Sequence, residues 1–242
     1  MKLNCDLGES YGSWTMGMDS SVMPYIDMAN IACGFHAGDA DVMQRTLALA
    51  KHYRVEVGAH PSYPDRQGFG RRSMNCSAEE LVNLLHYQIA ALDGMAQIHG
   101  LELSYVKPHG ALYNDMMHHP AILETVFTAI KSYHKPLALM LLATAEQAKH
   151  QAEADALGIS LLFEAFADRR YTDAGLLMPR SKPGAVLNQT EVMTQVQLLV
   201  DEGVVITDSG KRLALQADTL CVHGDNEAAI AEVKHIRQLL QG

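Results

Sequence analysis

Short apolar runs alternate with longer stretches whose apolar positions recur at helical spacing along most of the chain. KLNCD (2–6), IDMANIAC (26–33), VEVGA (55–59), SYVKP (104–108), PLALMLL (136–142) and ISLLFEAF (159–166) read as strands, and VVIT (204–207), RLALQA (212–217) and TLCVH (219–223) supply the last strand material. Helices are predicted between them. Asp39 caps one over 40–52, with Val42, Leu47 and Leu49 among its apolar positions. A Ser77/Glu80 capping box opens another that reaches toward Ile98, and Ile122, Leu123, Val126, Phe127 and Ile130 mark a third over 120–133. Thr144 with Gln147 repeats the capping-box pattern, and two further helices are predicted over 188–201 and 227–240.

Strands alternating with helices of this length indicate an α/β fold with a largely parallel sheet, and no low-complexity linker divides the chain. The sheet is either an open doubly wound one or a closed barrel. No GxGxxG follows the first strand, which weakens the dinucleotide-binding version of the open sheet. About seven strand and helix units are countable, and polar residues follow many of the strands, where a barrel gathers its site.

In a parallel barrel the C-terminal strand ends converge on one face, so residues distant in sequence become neighbours. That face would gather Asp6 and Glu9, then His36 and Asp39, then His60, then Lys107 and His109, then Glu164, Asp168 and Arg169, and finally His223 with Asp225. Imidazoles and carboxylates in such a group either hold a divalent metal such as zinc, manganese or iron, or act as a metal-free acid and base set, and no HExxH motif decides between them.

Lys107 lies two residues before His109 and so on the same side of the strand, while Pro108 stiffens the chain and Gly110 leaves room beside it. Pro61 holds His60 extended, and His36 sits between Gly34 and Gly38, where backbone can approach a ligand. Asp6 would ligate a metal, polarise a histidine or cap the next turn. The GFGRR run (68–72) suits a carboxylate or phosphate, Arg71 being the chosen guanidinium, and Arg169 and Arg180 pose the same possibility. Glu164 interrupts an apolar strand and must be paired there, with Lys107, His223 or an arginine. His86, His99, His118, His119, His134, His150 and His235 fall in or beside predicted helices, where solvent exposure accounts for them.

Composition narrows the partners. With 28 acidic and 19 basic side chains the formal charge is -9, and no Lys/Arg block suits nucleic acid or an anionic membrane. The four cysteines lack CxxC spacing and read as reduced core residues of a cytoplasmic protein. LALMLLA (137–143) is the most apolar stretch and is far too short to span a bilayer, and MKLNCDLGE enters a strand without the apolar stretch of a secretory leader. GxxxxGK[ST] is missing, so any nucleotide is held in another way or by another subunit.

The stretches NCDLGESYG, NIACGFHAGD, GAHPSYPDRQGFGRR, YVKPHGALYN, FEAFADRRY and CVHGD, spread over residues 4–225, resemble the LamB/YcsF family. Met18 departs from that pattern, where a second acidic residue is usual, as do Asp27 and Met28, where small or hydroxyl residues are. The resemblance implies an irregular seven-stranded (β/α) barrel of the glycoside hydrolase and deacetylase type, formed as one domain over residues 1–242. It also implies ATP-dependent hydrolysis of 5-oxo-L-proline (pyroglutamate) to L-glutamate with ADP and phosphate, using ATP with Mg2+, in a complex with 5-oxoprolinase subunits B and C. By the wider superfamily, a barrel metal would select Asp6, His60 and His109. His109 or Asp6 is then base or metal ligand, Lys107 the oxyanion or phosphate partner and Arg71 the carboxylate clamp, with His36, His60 and Glu164 in support. Glu9, Asp39, Asp168, Arg169, His223 and Asp225 are further candidates for holding substrate or phosphate. Rival readings are a stand-alone metal-dependent amidohydrolase or sugar deacetylase, a lactam-binding module without catalytic groups, and a scaffold subunit.

Overall fold

The computed structural model describes residues 1–224 and 226–241. In chain order its elements are β1 (Lys2–Leu7), α1 (Asp19–Val22), β2 (Met28–Ala32), α2 (Ala40–Tyr53), β3 (Glu56–His60), α3 (Ala78–Ile98), β4 (Leu103–Val106), α4 (Gly110–His118), α5 (Pro120–Ser132) and β5 (Ala138–Leu142). They continue with α6 (Gln147–Leu157), β6 (Leu161–Phe166), α7 (Gln189–Glu202), β7 (Val204–Ile206), β8 (Arg212–Ala214), β9 (Thr219–Val222) and α8 (Glu227–Gln241). Strands β1 to β6 and β9 close a barrel in that order, each parallel to its neighbours, which decides the sequence-level choice in favour of the seven-stranded barrel.

Both faces of the barrel strands are covered, which is why they read as nearly continuous apolar runs. Alternate residues such as Leu3, Cys5, Ala29, Ile31, Val57, Ala59, Leu139, Leu141, Phe163 and Ala165 pack outward into the main core, which includes Leu47, Leu85, Ile89, Leu92, Val126 and Ile130 of the surrounding helices. The intervening positions face the barrel axis, where Met28, Tyr105 and Met140 form a small apolar plug. Tyr105 fills the space beside Gly58, at the point where the β3–β4 register shifts. Above the plug the lumen turns polar. Tyr105 donates from its hydroxyl to Asn30 Oδ1 at 2.7 Å, Asn30 donates to Asn4 Oδ1 at 2.8 Å, and Asn4 donates to Thr219 Oγ1 at 2.9 Å. Each of these buried polar groups is therefore satisfied by a neighbour.

The structure departs from the sequence pattern in three places. The Thr144/Gln147 box is absent: α6 starts at Gln147 behind Glu146, and Thr144 Oγ1 accepts from the backbone N–H of Glu146 instead. Residues 110–118, given no element by the sequence pattern, form α4, and a short 3-10 turn over Met23–Tyr25 follows α1. Of the last strand material only β9 enters the barrel, while β7 and β8 pair antiparallel as a separate two-stranded sheet. The Ser77/Glu80 box is present as expected, and Asn188 with Glu191 forms a second.

A Cβ on Gly58 would lie 2.1 Å from Tyr105 Cε2. Because this ring is hydrogen-bonded and enclosed by the barrel, Gly58→Ala is expected to destabilise the fold by about 1–3 kcal/mol or more. The change is read as a lowered urea midpoint at unchanged m-value.

Candidate functional site

The C-terminal mouth of the barrel is built around one buried cation. Lys107, just past β4, is 2% exposed, and its Nζ lies 2.8 Å from Glu164 Oε1, 2.9 Å from Asp6 Oδ1, 3.3 Å from Asn4 Oδ1 and 3.3 Å from Cys221 Sγ. Glu164 is fully buried and also accepts from the Tyr113 hydroxyl at 2.9 Å. Its partners are thus Lys107 and a tyrosine, not an arginine. Burial opposes charge on Asp6, but His60 and Lys107 outweigh it and hold the carboxyl well below its usual range. Burial likewise opposes charge on Lys107, and Asp6 and Glu164 overcome it, so the ammonium persists well above its usual range. With its donors taken by β1, β6 and β9, Lys107 neutralises the two carboxylates in preference to reaching for a ligand.

Beside this floor stand three imidazoles. His60 Nδ1 lies 2.7 Å from the Lys107 carbonyl, and His109 Nε2 lies 2.9 Å from the Phe69 carbonyl. Both carbonyls can only accept, so each of these ring nitrogens carries the proton. His60 Nε2 and His109 Nδ1 then face one another at 2.9 Å, with Asp6 Oδ2 3.3 Å from His60 Nε2. His36 stacks on His109 with ring centroids 3.7 Å apart and sets its Nε2 3.0 Å from Glu9 Oε1, while its Nδ1 is buried without a partner. Burial, reinforced by neighbouring imidazoles, pushes His36 and His109 well below the usual histidine range, so both are neutral, and burial raises the Glu9 carboxyl.

The GFGRR loop closes over this cluster. Asp65 holds it by accepting from the Gly68 N–H at 2.9 Å and from Arg72. Phe69 adopts a left-handed φ of 53°, which aims its carbonyl at His109. Gly70, at φ 63°, has no room for a side chain: a Cβ would lie 2.8 Å from both His109 and His36. Gly110 is equally confined, its Cβ position lying 2.4 Å from the Gly70 carbonyl oxygen. The room expected beside His109 is therefore taken by backbone.

Above lies a cavity of about 920 Å3 whose walls include Asp6, Glu9, Arg71, His109, Arg180 and His223. Arg71 is exposed at its edge, whereas Arg72 is consumed by Asp65. His223 Nδ1 sits 2.9 Å from Asp168 Oδ2. Burial disfavours the imidazolium, but Asp168 outweighs it and lifts His223 to about 9, so the ring is cationic at neutral pH. Burial also opposes charge on Asp168, and His223 keeps its carboxyl below the usual range.

Asp6, Glu9, His36, His60, Lys107, His109, Glu164, Arg71, Asp168, Arg169 and His223 therefore meet at one mouth, Arg169 mainly as a buried donor to the Met178 carbonyl (2.6 Å) and the Ala185 carbonyl (3.4 Å) of its own loop. Asp39 does not join them: it caps α2 through the Val42 N–H and accepts from the Gly12 N–H, both of its oxygens engaged by backbone. Asp225 lies outside the described residues. Asn4, Asn30 and Tyr113 join the site without having been expected there. The two asparagines did carry a signal, since each interrupts an apolar strand in phase with an acidic or apolar lumen position. His150, expected at solvent, is buried.

The model of the LamB/YcsF family matches residues 1–242. A protein of Pseudomonas putida, named as a second A subunit of 5-oxoprolinase, is 56% identical over 241 residues, covering 99% of this chain and 93% of that one. The 5-oxoprolinase A-subunit of Vibrio parahaemolyticus is 52% identical over 241 residues, covering 99% and 95%. Among solved structures, a lactam utilization protein from Thermus thermophilus superposes with a TM-score of 0.89 at 37% identity, covering 100% of this chain and 96% of that one. A putative cellobiose-phosphate cleavage protein from Enterococcus faecalis, at 12% identity and a TM-score of 0.54 over 98% of this chain and 89% of that one, shares the fold alone. Among the described residues no helix is long and apolar enough to cross a membrane.

Two outcomes are expected. Lys107→Met leaves two carboxylates, one fully buried, without their cation and should cost about 3–5 kcal/mol in chemical unfolding, with Lys107→Met/Glu164→Gln recovering part of the loss. His223 titrates at about 9 in the folded chain and near 6.5 when unfolded. Its contribution to stability is therefore complete below about pH 6.5 and is lost as pH rises through about 9, a decline that His223→Gln should flatten when unfolding midpoints are compared across that window.

Proposed function

The chain belongs to the LamB/YcsF family, and we propose that it is the lactam-opening subunit of an ATP-dependent 5-oxoprolinase working with subunits B and C. The observation that carries this reading is the pairing of oppositely tuned groups at one cavity: Asp6 kept ionised, His223 kept protonated, and ligand atoms of the two within 4.8 Å of one another. The names of the relatives from Pseudomonas putida and Vibrio parahaemolyticus, and the lactam for which the Thermus thermophilus protein is named, support it.

A five-membered lactam is a poor electrophile and its ring recloses readily. Transfer of the ATP γ-phosphoryl to the lactam oxygen makes the ring carbon attackable, and the same cleavage drives ring opening. Asp6, with Oδ1 fixed by Lys107 and Asn30, presents Oδ2 as the base for the water that adds to this carbon. As the C–N bond breaks, the His223 imidazolium delivers a proton to the departing ring nitrogen, and Asp168 steadies the ring that gave it. Loss of phosphate from the acyl group, by a second water, completes L-glutamate. Arg71 at the cavity edge offers a planar donor pair to the substrate carboxylate. The cavity is far roomier than this small lactam needs, which leaves space for a phosphoryl donor with its Mg2+.

The test is turnover of 5-oxo-L-proline with ATP in the complex reconstituted with subunits B and C. Asp6→Asn and His223→Asn should each lower kcat by about a hundredfold or more while circular dichroism stays unchanged. Arg71→Lys should raise KM with a smaller effect on kcat. Normal kcat in both of the first two variants would remove the proposed roles.

A further inference from the structure

The proton positions in the imidazole cluster leave an electrostatic conflict that the protein alone does not resolve. His60 Nδ1 and His109 Nε2 both donate to backbone carbonyls, at 2.7 and 2.9 Å, so the facing pair, His60 Nε2 and His109 Nδ1 at 2.9 Å, are two lone pairs pointed at each other. Glu9 Oε1 adds a third acceptor, 3.6 Å from His109 Nδ1 and 3.0 Å from His36 Nε2. One donor atom each from Glu9, His36, His60 and His109 lies within 4.8 Å of every other, in a pocket where all three rings are buried. Something positive belongs at their centre. A proton there would create an imidazolium pressed against a second imidazole face; a metal cation would use all four atoms.

We propose that Glu9, His36, His60 and His109 bind one divalent transition-metal ion of the zinc, manganese or iron class. The donor set, three neutral nitrogens and one carboxylate oxygen, is the one these borderline ions take. Metal–ligand bonds of about 2.0–2.1 Å place neighbouring ligand atoms roughly 3.0–3.4 Å apart, and the separations of 2.9, 3.0 and 3.6 Å bracket that span. The outer shell is already present in the carbonyls of Lys107 and Phe69, which fix the tautomers that expose His60 Nε2 and His109 Nδ1. This set differs from the Asp6, His60 and His109 triad implied by family resemblance. Asp6 Oδ1 is held by Lys107 and Asn30, and Oδ2 faces His60 Nε2 from 3.3 Å, so Asp6 flanks the site and Glu9 with His36 completes it. The neighbouring group of Asp6, Cys221 and His223 is no rival, because the Lys107 ammonium touches both the thiol and Asp6 and would repel a cation.

The site stands apart from the lactam reading, and its test needs neither lactam nor ATP nor partner subunits. The chain alone, stripped with chelator, is titrated with Zn2+ and in parallel with Co2+, then desalted and assayed for metal. One retained equivalent is expected, with visible ligand-field bands for Co2+ and, in 15N-histidine-labelled protein, Zn2+-induced shifts at His60 Nε2 and His109 Nδ1. Glu9→Gln should weaken binding at least tenfold, His36→Ala/His109→Ala should abolish retention, and His150→Ala, remote from the cluster, should bind as the parent does. The proposal is overturned if the parent retains no stoichiometric metal, if Glu9→Gln binds as tightly as the parent, or if a proton between His60 and His109 persists in the presence of excess Zn2+.

Discussion

A single ammonium inside the barrel sets the terms for everything around it. Taking Lys107 out of water is costly, and so is burying Glu164 or Asp6; each is tolerable only because the others are there. The contacts tie the ends of β1, β4, β6 and β9 together across the lumen, so the charges that close the barrel also define the floor of its cavity. Asn4, Asn30, Tyr105 and Thr219 carry the same hydrogen-bond network down to the apolar plug. Such a lumen fixes the orientation of Asp6 without exposing the cation that charges it.

The site divides electrostatically. On one side burial keeps His36 and His109 neutral and their lone pairs available. On the other, Asp168 keeps His223 protonated even though burial opposes it. The same side chain type thus supplies acceptors and a donor across one cavity, and the difference comes from whether a carboxylate stands against the ring. Asp6 lies between the two halves, within reach of His60 and His223 alike.

Much of the barrel was legible in the sequence because its strands are covered on both faces and flanked by strong helix signals, such as the Ser77/Glu80 capping box. The strand-end rule then brought most of the candidate residues to one mouth. What escaped depends on three-dimensional closure. Asp39 has the right residue type in the right place, but its oxygens are spent on the backbone of α2 and of Gly12. Helix α4 begins directly behind His109 with Gly110, and so lacks a side-chain cap to announce it. Tyr113 on that helix reaches Glu164 only because the barrel brings them together, and no spacing in the chain records the contact. Asn4 and Asn30 were visible as polar interruptions of apolar strands, but their partners lie on other strands.

The Phe69 carbonyl has a consequence that reaches beyond its own hydrogen bond. It comes from a loop residue in an unfavourable backbone conformation, yet it decides which nitrogen of His109 is bare. Lifting that loop would free the imidazole to turn over and swap its tautomer, so the seating of a surface segment acts as an interlock on the reactivity of a buried ring.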